Sequence, residues 1–320
     1  MGILKTLGML TLVALAVVAV LLTASTIHHT KQLETEAKEF PPPGTMVEVN
    51  GNTLHVYTEG DGDTTLVFLA GHGTSNPTLD FKPLWGRLVD EYRIAVVERS
   101  GYGWSETSKS PRDLDTMLEE TRRALELSGE QGPYVLFPHS MSGLEAIYWA
   151  QKHPDEVRAI IGLDPCTPGA VDILPEPSKV QLYVMYLVSR AGISRYMPDT
   201  DVESILPLIG SEDLTEEDKQ RYLVVFYRSA FTGDMLREVE YLKANAKAVT
   251  DNAAPIRTPM YFFISDGQEA NVSGWRGALS GYLSKLDLGE YMELATGHYV
   301  HHEKADIIAE EAKAFLGDLD

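Results

Sequence analysis

Tyr134-Val135-Leu136-Phe137-Pro138-His139-Ser140-Met141-Ser142-Gly143 is the stretch on which the reading of this chain turns. An apolar run of strand length stops at Pro138 and a His-Ser pair follows. Small residues at 142 and 143 then precede Leu144, Ala146, Ile147 and Ala150 at helical spacing. This writes a strand, a tight turn and a helix, with a serine at the apex. Such a turn strains the serine backbone and leaves its hydroxyl exposed above the sheet, where a base can reach it. Only small side chains fit beside it, because strand and helix nearly touch there. The run is close to G-x-S-x-G, with Pro138 and Ser142 in the two glycine positions. Pro138 has no N–H and removes a ladder bond if it lies within a central strand. Ser142 adds a second hydroxyl two residues from the first.

Outward from this stretch, short apolar runs alternate with helical patterns. Leu66-Val67-Phe68-Leu69 leads into Gly71-His72-Gly73-Thr74, and Arg93-Ile94-Ala95-Val96-Val97 into Glu98-Arg99-Ser100-Gly101-Tyr102-Gly103-Trp104-Ser105. Ala159-Ile160-Ile161-Gly162-Leu163 ends at Asp164-Pro165, and Met260-Tyr261-Phe262-Phe263-Ile264 ends at Ser265-Asp266-Gly267. Thr296-Gly297-His298 precedes a last amphipathic helix. Buried strands alternating with helices predict an α/β fold with a mostly parallel sheet covered by helices on both faces. Ahead of it, Asn50-Gly51 between two alternating runs signals a hairpin, since a type I′ turn needs positive φ twice.

In these motifs, and in the D-R-x-G-Y-G-W-S-like segment at Glu98–Ser105, the chain resembles the serine-dependent branch of the α/β-hydrolase superfamily over residues 45–317. The resemblance implies a triad in the chain order Ser140, Asp266, His298. It also implies a helical cap inserted between strands 6 and 7. Residues 167–257 fill that place, with apolar helical stripes at Leu182, Met185, Tyr186 and Val188, at Tyr222, Val225 and Phe226, and at Met235, Val239 and Leu242. Most of these side chains must pack on one another, leaving a few Tyr and Met to face a substrate.

The chemistry asks for the same parts. A serine hydroxyl is a poor nucleophile near neutral pH and needs a base within hydrogen-bond reach. His298 is the candidate base, on a loop that Gly297 allows to turn and that the following helix would lock down. A buried carboxylate must orient that base. Asp266 follows the seventh strand, the family's usual place; Glu269 lies nearer the family's register, and Asp164, after the sixth strand, is the acid position of some relatives. Oxyanion donors are expected from the backbone N–H groups of Met141 and Thr74. His72 is expected to hold its loop together, His139 to be structural, and residues 101–105 to pack beneath the site. His301, His302 and Glu303 invite a metal reading, but ligands crowded in this way suit zinc poorly without a second cluster, so no metal or other cofactor is expected. Cys166 has no elbow around it and is read as inert; as a lone cysteine it excludes an internal disulfide.

The first 27 residues are of another kind. Between Thr6 and Ile27 there is no charge, a length that at helical rise crosses a hydrocarbon core of ~30 Å. A retained single-pass anchor to the cell membrane is the expected reading, with the catalytic domain outside the cytoplasm; a signal peptide cleaved near the small residues Ala24, Ser25 and Thr26, or a buried core helix, are the alternatives. Residues 28–44, ending in Pro41-Pro42-Pro43-Gly44, are expected to form an extended linker. Hydrophobic residues make up 44% of the chain, enough for a large core. A net charge of −20 excludes nucleic acid as a partner and disfavours anionic substrates. The expected function is therefore cleavage of a neutral ester or related acyl bond. The serine at the elbow argues against haloalkane dehalogenase and epoxide hydrolase chemistry, which uses aspartate there. Amide cleavage of the proline iminopeptidase kind, or a catalytically silent ligand-binding fold, are the alternatives.

Overall fold

The structure is a computed structural model that describes residues 2–252, 254–268 and 272–319. It opens with helix α1 (Gly2–Glu39), followed by the hairpin of β1 (Thr45–Val49) and β2 (Asn52–Glu59). Asn50 and Gly51 both take positive φ, 53° and 79°, as the turn requires. Next come β3 (Thr65–Leu69), the short helices α2 (Pro77–Asp80) and α3 (Lys82–Trp85), β4 (Arg93–Glu98) and α4 (Leu114–Leu127). The elbow joins β5 (Tyr134–Pro138) to α5 (Ser142–Lys152), and β6 (Val157–Leu163) follows. Five helices then intervene: α6 (Pro168–Ile173), α7 (Lys179–Arg190), α8 (Asp199–Ile205), α9 (Glu216–Ser229) and α10 (Gly233–Asp251). The chain closes with β7 (Met260–Ile264), α11 (Trp275–Leu283), β8 (Gly289–Glu293), α12 (Val300–Glu303) and α13 (Ala305–Gly317).

The strands form one sheet in the order β1-β2-β4-β3-β5-β6-β7-β8. β2 runs antiparallel to both of its neighbours, β1 and β4, and the remaining neighbours are parallel. Both faces are covered, which is why the central strands are apolar throughout rather than alternating. On β3, Val67 and Leu69 pack with α4, α5 and α11, while Leu66 and Phe68 pack with α3 and α13. Each fully buried Leu or Phe there contributes about 1.5–3 kcal/mol relative to exposure. Pro138 is the last residue of β5, so its missing N–H falls where the ladder is already ending.

The helices between β6 and β7 form the insertion expected there. Their starts are capped by their own sequence: Thr215 and Asp218 close a reciprocal box on α9, and Thr232 accepts the Met235 N–H on α10. One cluster, with Val202, Leu206, Leu214, Tyr222 and Phe226, packs onto Leu79 of α2. A second joins Phe231 and Met235 to Tyr102 in the loop after β4.

The N-terminal segment departs from expectation. Residues 28–39 are not an extended linker; they continue α1 without a break, and only Phe40–Gly44 connects it to β1. Nothing between His28 and Glu39 opposes a helix. It ends where Pro41 disfavours helical backbone in the residue before it. This part of α1 also docks on the insertion. The Ser25 hydroxyl donates to the Ala191 carbonyl at 2.6 Å, and the Arg195 guanidinium grips Glu36 at 2.6 and 2.7 Å. Its Nε also donates to His29 Nδ1 at 2.8 Å. Ahead of that contact α1 is long and apolar enough to cross a membrane, with a mean hydropathy of 2.6 over its most apolar window.

Candidate active site

The elbow folds as its residues demand. Ser140 takes φ +53°, the left-handed conformation that a tight strand-to-helix turn imposes at its apex. A Cβ on Gly143 would come within 2.4 Å of the Cys166 carbonyl oxygen, so only glycine fits. Ser142 is fully buried, and its hydroxyl lies 2.7 Å from the Leu69 carbonyl and 2.8 Å from that of His139. Its side chain thus stitches the turn to β3 and is not presented to a substrate.

His298 Nε2 lies 2.9 Å from Ser140 Oγ, and His298 Nδ1 lies 2.6 Å from Asp164 Oδ2. Asp164 is fully buried at the end of β6, with φ +48°. Its other oxygen accepts the Ser265 N–H at 2.8 Å and the Trp275 indole N–H at 2.9 Å. The Trp275 ring also stands edge-on to His298, 5.8 Å between centroids. The carboxylate therefore has donors on both oxygens and a fixed orientation.

This corrects the choice of Asp266 as the partner of His298. Asp266 Oδ1 accepts the Gln268 N–H at 2.9 Å, closing its own turn, while its N–H donates to the Thr296 carbonyl. Asp164 stands directly at the strand end, with Leu163 paired to Phe263 on β7, whereas Asp266 is carried past the rim. Glu269, the other alternative, lies outside the described residues. Sequence reasoning did not single out Trp275; an indole donor eleven residues beyond a strand end leaves no motif.

Around the serine, Gly71 approaches closely: a Cβ there would come within 2.9 Å of Ser140 Cβ. Thr74 is buried on the same loop, and its hydroxyl has no hydrogen-bond partner among the described residues. The backbone N–H groups of Met141, His72 and Thr74 likewise have no acceptor among them. His72 Nδ1 approaches Glu238 Oε2 of α10 at 3.5 Å, tying the loop to the insertion. Glu238 also faces Arg99 at 3.5 Å and accepts the Tyr102 hydroxyl. Burial opposes its charge, but Arg99, His72 and Tyr102 together hold its carboxyl below the usual range. After β4, the Gly103 N–H donates to the Ser75 carbonyl at 2.9 Å, and a Cβ on Gly103 would overlap the Glu98 carboxylate. Burial, and next the charge of Asp164, push the Cys166 thiol up to about 12, which makes it a poor nucleophile.

The histidines near the site position one another. His139 Nε2 donates to the His298 carbonyl at 3.2 Å. His301 and His302 donate to the two oxygens of buried Asp80 at 2.9 and 3.1 Å, whereas Glu303 turns away to accept the Thr296 hydroxyl. Asp80, His139 and His301 offer ligand atoms within 4.8 Å of one another and could hold a metal ion. The Asp80 oxygens are already engaged by two imidazoles, so positioning the loop is the simpler role. Burial, then neighbouring imidazoles, push His139 far down and His301 down to about 4. Both stay neutral in the fold while the unfolded chain protonates near 6.5. Between pH 6.5 and about 4 the unfolded state thus binds more protons, and stability falls as pH falls. His301 alone implies a loss of about 2 kcal/mol between pH 7 and 5, read by urea unfolding; a flat profile would show that these rings take up protons in the native state.

A family model described as alpha/beta hydrolase fold matches residues 66–187. The uncharacterized protein YbdG of Bacillus subtilis is 33% identical over 311 residues, covering 95% of each chain. The 2-(acetamidomethylene)succinate hydrolase of Mesorhizobium japonicum is 26% identical over 118 residues, 37% of this chain and 41% of its own. Among solved structures, the epoxide hydrolase VrEH1 of Vigna radiata superposes with a TM-score of 0.64 at 19% identity. That match covers 86% of this chain and 97% of the neighbour.

Proposed function

Because this chain belongs to the α/β-hydrolase superfamily, a fold and kinship that support a hydrolase, we propose that it is a serine hydrolase cleaving esters through an acyl-enzyme. The observation that carries the reading is the unbroken series Ser140 Oγ, His298, Asp164, with contacts of 2.9 and 2.6 Å, at a serine held in a left-handed turn. The VrEH1 likeness bears on the fold alone, and the serine at the elbow argues against epoxide chemistry.

In this reading Ser140 Oγ attacks the carbonyl carbon while its proton passes to His298 Nε2. Asp164 accepts the Nδ1–H, keeping Nε2 free as a base and stabilising the imidazolium that forms. The oxyanion is met by the Met141 N–H and a loop N–H, that of Thr74 or, nearer the Gly71 contact, that of His72. Collapse breaks the bond to the leaving alkoxide, which takes the proton from Nε2. Water then attacks the acyl-serine by the same route and returns the proton to Ser140.

The acidic surface and the apolar lining of the insertion favour a neutral acyl group. Each buried methylene adds about 0.8 kcal/mol, so kcat/KM should rise several-fold per carbon until the pocket is full. A p-nitrophenyl ester series from acetate to hexanoate reads this. A flat or falling profile, or preference for an anionic acyl group, would exclude the apolar pocket.

A further inference from the structure

We propose that α7 of the insertion seats against the bilayer surface beside α1, and that the groove behind it takes the acyl chain of a membrane-borne ester. The substrate clause rests on the hydrolase reading; the seating does not. Val180, Tyr183, Val184 and Leu187 follow helical i, i+3, i+4, i+7 spacing and make one stripe. They face outward, with exposures of 73, 55, 51 and 47%. The opposite face is the one that packs: Leu182 and Tyr186 lie against the Tyr102–Phe231–Met235 cluster, and buried Ser189 accepts the Phe231 N–H. A soluble surface helix does not turn its apolar stripe to water.

The position of α1 names the occupant. Ser25, two residues inside the uncharged run that ends at Ile27, bonds the Ala191 carbonyl, the residue that follows α7. The Arg195–Glu36 pair and His29 packed on Gly192 hold that junction. The end of α7 is therefore fixed at the depth where the candidate span leaves the hydrocarbon. Exposed Tyr196 lies beside His28 at the same level, and Lys179 and Arg190 flank the stripe, as in helices that lie in a membrane interface.

A groove of about 590 Å³ between α6, α7 and α10 opens at this stripe. Tyr183 belongs to both the stripe and the groove wall. Leu242 lines the groove on one side and, on the other, a void of about 10 Å³ that reaches Met141, next to the nucleophile. Displacement of Leu242 would join the two and lead an acyl chain from the bilayer to Ser140.

The full chain in phosphatidylcholine vesicles tests the seating without turnover. The four native tryptophans are buried, so a Tyr183→Trp probe adds the exposed signal. Dibrominated acyl chains should quench at least half of the added fluorescence, and no more than a tenth of that from Tyr291→Trp on β8. Leu15→Trp in α1 marks the bilayer interior. Quenching at 183 no greater than at 291 overturns the proposal, whether α7 faces water or a second copy of the chain. For the substrate, the Val184→Lys, Leu187→Lys double variant should lower the ratio of vesicle-borne long-chain ester hydrolysis to soluble butyrate ester hydrolysis at least fivefold; an unchanged ratio overturns the substrate clause. Failure of the native chain on both esters would strike the hydrolase reading and the clause resting on it, while the quenching result still decides the seating.

Discussion

Ser140→Ala is expected to lower kcat/KM for an activated ester by at least about 10⁴-fold, to background, since it removes the hydroxyl that meets His298 Nε2. Ser142→Ala is the informative companion. Its hydroxyl lies against the Leu69 and His139 carbonyls beneath the turn. Removing it costs a buried hydrogen bond of about 1 kcal/mol in stability and less than tenfold in rate. Equal losses in the two variants would mean that the turn, and not the Ser140 hydroxyl, was being measured.

The second large effect separates two aspartates. Asp164→Asn should leave the fold in place and reduce kcat by about 10³–10⁴-fold, because the amide no longer holds His298 with its proton on Nδ1. Asp266→Asn should change kcat by no more than about threefold, since its carboxylate serves the Gln268 N–H. Asp164 also receives the Ser265 and Trp275 N–H groups, and an asparagine can keep those bonds through its carbonyl oxygen. A Trp275→Phe variant should fall between the two, because it removes one donor to Asp164 without touching the pair with His298. If Asp266→Asn carries the large loss instead, the arrangement described here is not the working one.

Much of the site could be read before any coordinates. Strand ends, the elbow and the histidine loop follow from local pattern: apolar runs of strand length, small residues where backbones touch, and glycine before the base. The acid could not be chosen in this way. Both Asp164 and Asp266 follow apolar strands, and β6 and β7 lie side by side, so their loops open at one edge. Which carboxylate meets His298 depends on how far each is carried past the rim, and on Trp275, which local sequence does not connect to either. The N-terminal connection failed for a related reason. Lys, Glu and Thr after an apolar span suggest a solvated linker, yet the same residues are compatible with helix. Arg195, far along the chain, docks this part of the helix through His29 and Glu36. The Ser142 departure from the glycine pattern, by contrast, is explained once its two carbonyl partners are seen.

The proposed chemistry requires Ser140 to be the nucleophile that His298 activates. Treating the full chain in detergent with a fluorophosphonate, then mapping the adduct by peptide mass spectrometry, addresses this directly. One adduct is expected, on Ser140, at a rate that drops at least 100-fold in His298→Ala. No adduct on the native chain, an adduct on another residue, or labelling that ignores the loss of His298 would contradict it.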